Sequence, residues 1–416
     1  MKIITASTVL TAALSGCVAA LWAPAAVTAA DMSFKPALSV SEEFTDNVYE
    51  QVADKRSDFI SHIQPGIAFT YQAPLWNWDV GYSLDYRTYA RDSKGDEISH
   101  HGNLKGTTFL LDNFLYLDVG DTYSRVTLDV SRTAATESSL FLNQTDQNVA
   151  FVSPWLLFRP TAQATLKTGY RFTDTRYWGT GIEKQEQRGF ADLNYEVTQK
   201  LNLTAMYGFT HLESLPSNYN KHDISAGFRY EYADKSFVFG SVGNSWQQFD
   251  RGRSTTFLFW NAGVNYDAGI AVVTLETWSQ TTEDPLAVST QENSYRFKVD
   301  KTLQRGTLGV TGSYSEYINT RTDTMDRKKA ACGATGRYEI ITDLNANLGL
   351  TAEHFSQQTD ATLPWRFVAT SGLSYAFKNE LTLGLTYTYT TELRDLDTTD
   401  GSKQINRAIL ELKKVF

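Results

Sequence analysis

Six histidines and two cysteines leave this 416-residue chain little for metal chemistry. His100-His101 is the one histidine pair. Adjacent residues of a strand face opposite sides, so the two rings cannot chelate one ion, and they read as a solvated rim. Ser61 and His62 are neighbours on opposite faces for the same reason. They cannot supply the nucleophile–base pair that a lipid-cleaving barrel needs. Asp395, Asp397 and Asp400 form an acidic loop that could hold a divalent cation, calcium bridging lipopolysaccharide included, or simply be hydrated surface. Cys17 lies in a leader and Cys332 in a strand, so the mature chain is expected to have no disulfide. There is no Gly-rich phosphate loop, no metal-spaced cluster and no nucleophile elbow. The residues point to no enzyme, no metal and no cofactor.

The net charge is −9, from 38 basic and 47 acidic residues, with no basic cluster. That excludes nucleic acid as a partner. A mean hydropathy of −0.34 looks water-soluble. A membrane barrel looks the same, because half of each strand faces a wet lumen. Aromatic residues make up 13% of the chain, which suits girdles at two membrane interfaces and equally a β-sandwich.

Lys2 is followed by an uncharged stretch over residues 3–27 and then Thr28-Ala29-Ala30-Asp31. A positive start, an apolar run and a small-x-small end describe a secretory signal over residues 1–30, cut near Ala30. Leu14-Ser15-Gly16-Cys17 has the form of a lipobox, and cleavage there would leave a lipidated Cys17 instead. No later stretch reaches about 18 apolar residues, so no helical span is expected.

The elements behind these residues are strands, joined by two kinds of connection that take turns. One kind is tight: Gln72-Ala73-Pro74-Leu75, Asp112-Asn113, Arg159-Pro160, Thr198-Gln199, Ala233-Asp234, Gln304-Arg305, Thr342-Asp343 and Lys378-Asn379. The other is longer and polar, around 90–98, 128–146, 177–183, 214–219, 284–289, 321–326, 358–362 and 396–402. Short turns on one side and loops on the other are the pattern of an outer-membrane barrel. Leu381, Leu383, Leu385, Tyr387 and Tyr389 alternate with Thr382, Gly384, Thr386, Thr388 and Thr390, and the two-residue period sets one face in lipid and the other in water. The runs last about 12 to 15 residues, against the five or six usual in soluble proteins and the 9 to 11 that cross a bilayer with tilt.

The predicted fold is all-β: a single transmembrane antiparallel up-and-down barrel over residues 31–416, with 20 strands, or 18 if one pair is lost. The first ten strands are placed at 33–49, 56–72, 76–90, 98–111, 114–127, 146–158, 161–176, 183–197, 200–213 and 219–232. The other ten are placed at 235–250, 253–267, 270–283, 289–302, 306–321, 326–341, 343–357, 363–378, 380–395 and 402–416. Pro65 and Pro154 inside strands predict bulges or kinks, because proline cannot donate to the ladder. Asp46-Asn47 predicts a capped turn at the first loop.

The polar faces carry the candidate lumen residues Asp85, Arg87, Lys167, Arg171, Arg188, Asp192, Arg229, Glu231, Arg296, Lys298 and Arg366. The loop at 128–146, with Leu140, Phe141 and Leu142, either folds in to narrow a pore or stays outside. Leu410, Leu412 and the terminal Phe416 share a face and look like the signal read by the barrel-assembly machinery, although Lys414 interrupts the apolar pattern.

Glu43-Phe44-Thr45-Asp46-Asn47-Val48, Ser57-Asp58-Phe59-Ile60 and Gln64-Pro65-Gly66-Ile67 resemble the start of a β-barrel porin family found with exopolysaccharide loci and PEP-CTERM sorting systems. Asn143-Gln144-Thr145-Asp146 and Val152-Ser153-Pro154-Trp155 look similar too. The resemblance implies an integral outer-membrane barrel, no known catalysis and a part in moving cell-surface polysaccharide. The expected partners are outer-membrane lipid and lipopolysaccharide, the assembly machinery, and a polysaccharide or a periplasmic export partner. The same barrel could instead be a passive porin for small solutes or a sheath for a partner protein.

Overall fold

The computed structural model describes residues 30–111, 113–128, 144–215, 218–250, 254–283, 285–286, 289–357, 363–396 and 401–416. Twenty strands make one sheet. They are β1 (Asp31–Thr45), β2 (Asp58–Ala73), β3 (Trp76–Tyr89), β4 (Glu97–Leu111), β5 (Leu115–Thr127), β6 (Gln144–Thr161) and β7 (Ala164–Trp178). Then come β8 (Lys184–Thr198), β9 (Leu201–Ser214), β10 (Tyr219–Ala233), β11 (Ser236–Phe249), β12 (Thr255–Asp267), β13 (Val272–Glu283) and β14 (Ser289–Leu303). The last are β15 (Gly306–Asn319), β16 (Thr324–Ile341), β17 (Leu344–Gln357), β18 (Trp365–Ala376), β19 (Leu381–Leu393) and β20 (Lys403–Val415). Each strand pairs antiparallel with the next, and β1 pairs with β20 from Ala37↔Val415 to Thr45↔Arg407. The sheet is therefore closed and leaves no edge.

Alternation builds the wall. Val242 and Leu348 are each 54% exposed, and with their like-facing neighbours they form an apolar outer surface. In water such a surface would be a large liability; in lipid it is the favourable face. The tight turns have positive φ at Asn113, Lys235, Asp343 and Asn379, and at three of these four the residue is an Asn or Asp, which tolerates left-handed backbone. Register shifts at Phe109/Leu111, Glu231/Ala233 and Glu339/Ile341 sit beside these turns and re-aim the chain.

Three local expectations change. β1 stops at Thr45 rather than near residue 49, because the side chain of Asn47 ties down the following loop. The turn expected at Arg159-Pro160 lies at 162–163, since a register shift between Phe158 and Thr161 absorbs the proline at the strand end. Pro65 and Pro154 make no bulge. Pairing skips them on one side without changing register (Ile63↔Tyr86, then Gly66↔Ser83), and on the other side they stay paired to Leu38 and Leu117. The expected signal segment with Cys17, the residues Leu140, Phe141 and Leu142, and Asp397 and Asp400 fall outside the described residues.

Candidate functional site: the polar lumen and its loop-side mouth

Inward side chains near the loops are packed, and those near the turns are wet. Asp85, Arg87 and Ser99 are almost fully buried. Arg229, Glu231 and Lys298 are exposed. Depth therefore divides the candidate lumen residues into two groups.

The buried group belongs to a chain of alternating charge that runs round the loop side. Lys329 pairs with Glu353 at 2.7 Å, Glu353 with Arg366 at 3.5 Å, Arg366 with Glu392 at 3.8 Å, and Glu392 with Lys403 at 2.7 Å. Lys403 reaches Glu50 at 3.9 Å, Glu50 pairs with Arg407 at 2.7 Å, and Arg407 pairs with Glu43 at 3.6 Å. His62 continues it, with Nε2 at 3.5 Å from Glu43 and Nδ1 at 3.1 Å from Asp85. Arg87 follows, donating to Asp85 at 2.6 Å and to Ser99 Oγ at 3.1 Å. Both ring nitrogens of His62 face carboxylates, which only accept. No nitrogen is left to take a proton, so this histidine is not placed as a general base. The network ties the loop-side ends of β16–β20 to those of β1–β3.

Alternation exposed Asp85, Arg87 and Arg366 as polar-face residues. It missed Glu43, Glu50, His62, Lys329, Glu353, Glu392, Lys403 and Arg407, because it reports face and not which strands' ends meet. Asp46 and Asn47 do cap the first loop, and they also cross the seam. Asn47 Nδ2 donates to Gln51 O at 2.7 Å and to Gln404 O at 3.0 Å, and Asn406 Nδ2 donates to Asp46 at 2.6 Å.

The wet group lies deeper. Lys167 faces Asp192 in register, and Arg171 faces Arg188. Arg296 faces and pairs with Glu276, Arg229 pairs with Glu231 at 3.7 Å, and Lys298 with Asp300 at 2.7 Å. Inward rings lie among them. Lys167 Nζ is 4.0 Å from the Trp155 ring centre, and the guanidiniums of Arg171, Arg229 and Arg296 stand 4.7, 3.4 and 5.0 Å from Phe151, Phe237 and Trp278. A cavity of about 850 Å³ opens on this wall, lined in part by Lys167, Asp192, Phe239, Phe259, Trp278 and Arg296.

One hairpin leaves the wall. β12 and β13 pair only from Asn261↔Trp278 down to Asp267↔Val272, while β13 and β14 stay paired up to Glu283↔Ser289. Above Trp278 the hairpin meets distant strands. Lys184 on β8 bonds Glu283 at 3.0 Å, Tyr219 Oη on β10 donates to Glu283 at 2.7 Å, and Ile182 N donates to Pro285 O at 2.7 Å. Along the wall, β8 and β13 are five strand spacings apart, about 24 Å at ~4.8 Å each. Such contacts require the hairpin to lean into the lumen. Behind it, Gln291 Nε2 reaches Leu258 O at 3.2 Å and Thr255 Oγ1 reaches Thr320 O at 3.0 Å, so the top of β12 adjoins the β15–β16 turn. The sequence holds a signal for this. The outward face of β13 reads Val273 and Leu275, then Thr277, Ser279, Thr281 and Glu283, a polar run that lipid would not tolerate.

On the outer wall, the histidine pair faces opposite sides as expected. His100 does not stand on a bare rim: Tyr82 Oη lies 2.7 Å from its Nδ1, and the Tyr123 ring packs edge-on to it at 6.2 Å. Leu410, Leu412 and Phe416 are exposed on the same outer face. Lys414 interrupts them by reaching back to Asn379 O and over the Phe416 ring.

No protein-family model and no curated protein matches the chain. Solved structures do. It is similar to the FrpB iron transporter of Neisseria meningitidis in its apoprotein form, with a TM-score of 0.58 and 8% identity over 92% of this chain and 81% of that one. It is similar to the siderophore receptor PirA of Pseudomonas aeruginosa, with a TM-score of 0.53 and 9% identity over 92% and 80%. The ferric-catecholate import receptor Fiu of E. coli K12 gives 0.53 and 9% over 91% and 81%. The closed barrel is the fold of these transporters and receptors, and its apolar exterior makes this chain an integral outer-membrane barrel.

Proposed function

We propose that the chain is an outer-membrane channel for a hydrophilic cargo, and that the cargo is a cell-surface polysaccharide on its way out. The observation that supports a channel is the wet, charged, ring-lined lumen inside an apolar wall. Rings offer flat contacts to the apolar faces of sugars, and balanced charges hold a passing polymer weakly at many points. Export rests on the resemblance carried by Glu43-Phe44-Thr45-Asp46-Asn47-Val48 and its companion motifs. The iron and siderophore cargoes named for the similar structures do not carry over at 8–9% identity.

Deleting the gene is expected to trap polysaccharide in the envelope; unchanged secretion would sink the export reading. Passive diffusion of small solutes is the second reading, favoured by the hairpin that narrows the mouth. Swelling of vesicles holding the pure protein in small sugars, with normal secretion in the deletion strain, selects it.

A further inference from the structure

Many inward cations of the barrel are held by a carboxylate in an ion pair, and three neighbours on β7 and β8 are not. Among the described residues, Lys167, Arg171 and Arg188 make no ion pair within 4.0 Å. Arg171 and Arg188 are direct cross-strand partners on one face, an arrangement that repels. The Nε of Arg171 is buried without any hydrogen-bond acceptor. Asp192 stands opposite Lys167, yet the ammonium turns instead to the Trp155 ring at 4.0 Å, with the Phe190 ring at 5.8 Å.

The small residues round these cations keep room for them. A Cβ on Gly169, between Lys167 and Arg171, would meet Pro154 O and Trp155 Cβ at 2.6 Å and the Phe190 ring at 2.9 Å. Glycine there lets rings from β6 and β8 close over β7. Arg188 lies across Gly208 of β9, where a Cβ would stand in ordinary contact with Nη2 at 3.6 Å. The result is a strip of three positive groups framed by Phe151, Trp155 and Phe190, beside the 850 Å³ cavity that Lys167 also lines.

We infer that Lys167, Arg171 and Arg188 form a lumenal binding site for an acidic saccharide. Its carboxylate or phosphate sits between the two guanidiniums and its sugar ring lies on Trp155 or Phe190. Guanidinium forks match planar oxyanions, and an anion between the two arginines turns their repulsion into attraction. The rings supply the flat apolar contact that a free inorganic ion would not use. The site rests on the saccharide-channel reading and adds to it the sign of the cargo's charge.

The test titrates the folded protein in detergent with trigalacturonate and with neutral galactotriose. Trigalacturonate is expected to bind at least tenfold tighter. The advantage disappears in the Arg171→Gln/Arg188→Gln double variant, and it is kept in Arg337→Gln, which removes an inward cation of β16 instead. Heat-modified gel migration verifies that each variant is folded, and Arg171→Gln alone serves if the double variant is not. Equal binding of the two sugars, or acidic binding that survives loss of both arginines, overturns the site. Inorganic phosphate competing as well as trigalacturonate overturns the saccharide part. Planar-bilayer conductance read on the same samples separates the two ideas. Binding without conductance keeps the site and removes the channel, while conductance without discrimination does the reverse.

Discussion

Arg87 is buried with Asp85 and Ser99 as its partners, and Asp85 faces Glu43 across the His62 ring. Arg87→Ala leaves Asp85 with only His62, which it shares with Glu43. The expected cost is about 3–5 kcal/mol, read as an earlier urea midpoint of the barrel folded in vesicles. Asn47 carries a smaller load through its contacts with Gln51 and Gln404, and Asn47→Ala is expected to cost about 1–3 kcal/mol in the same assay. At this scale the sequence was half legible. The two-residue period gave Asp85 and Arg87 the correct face. Nothing local told that His62 stands between Glu43 and Asp85, because that meeting depends on the register of three strands. The Arg171–Arg188 pairing was hidden for the same reason: the two residues were named, but only the β7–β8 register makes them partners.

The upper β13–β14 hairpin is docked by polar groups, and water would satisfy each of them equally well. Beside its dock, Gln247 is 1% exposed and neither of its amide atoms has a partner. An unpaired buried amide costs about 1–3 kcal/mol, which weakens the docked state. Loosening the latch with Glu283→Gln and Tyr219→Phe together is therefore expected to raise single-channel conductance. An Ile182→Cys/Pro285→Cys disulfide in a Cys332→Ser background is expected to hold it low until reduced. The same current in all these proteins would make the hairpin a fixed part of the wall. The strands themselves were legible, since membrane thickness forces long runs with clear alternation. The lean of the hairpin was not, although the polar outward face above Leu275 records it.

For the molecule as a whole, neighbouring positions should respond in opposite ways. Leu348 looks outward and Asn347 inward on the same strand. Leu348→Arg is expected to cost about 2–4 kcal/mol of folding stability in vesicles if it lies near the midplane, whereas Asn347→Arg costs little. Equal penalties at the two sites would contradict the assignment of faces. The even strand count and the alternation of turns and loops were readable because both chain ends must return to one side. Which loops fold in was not, because loop composition does not encode depth.

The seam has a kinetic corollary. Ala37 meets Val415, so the first strand of the barrel waits for the last one before the ring can shut. Every earlier intermediate bears two bare strand edges and an oily flank, both of which invite association with other chains. Contacts so remote along the chain also form slowly. A chain shortened at either β1 or β20 is therefore expected to accumulate as aggregate or be degraded rather than insert as a smaller ring.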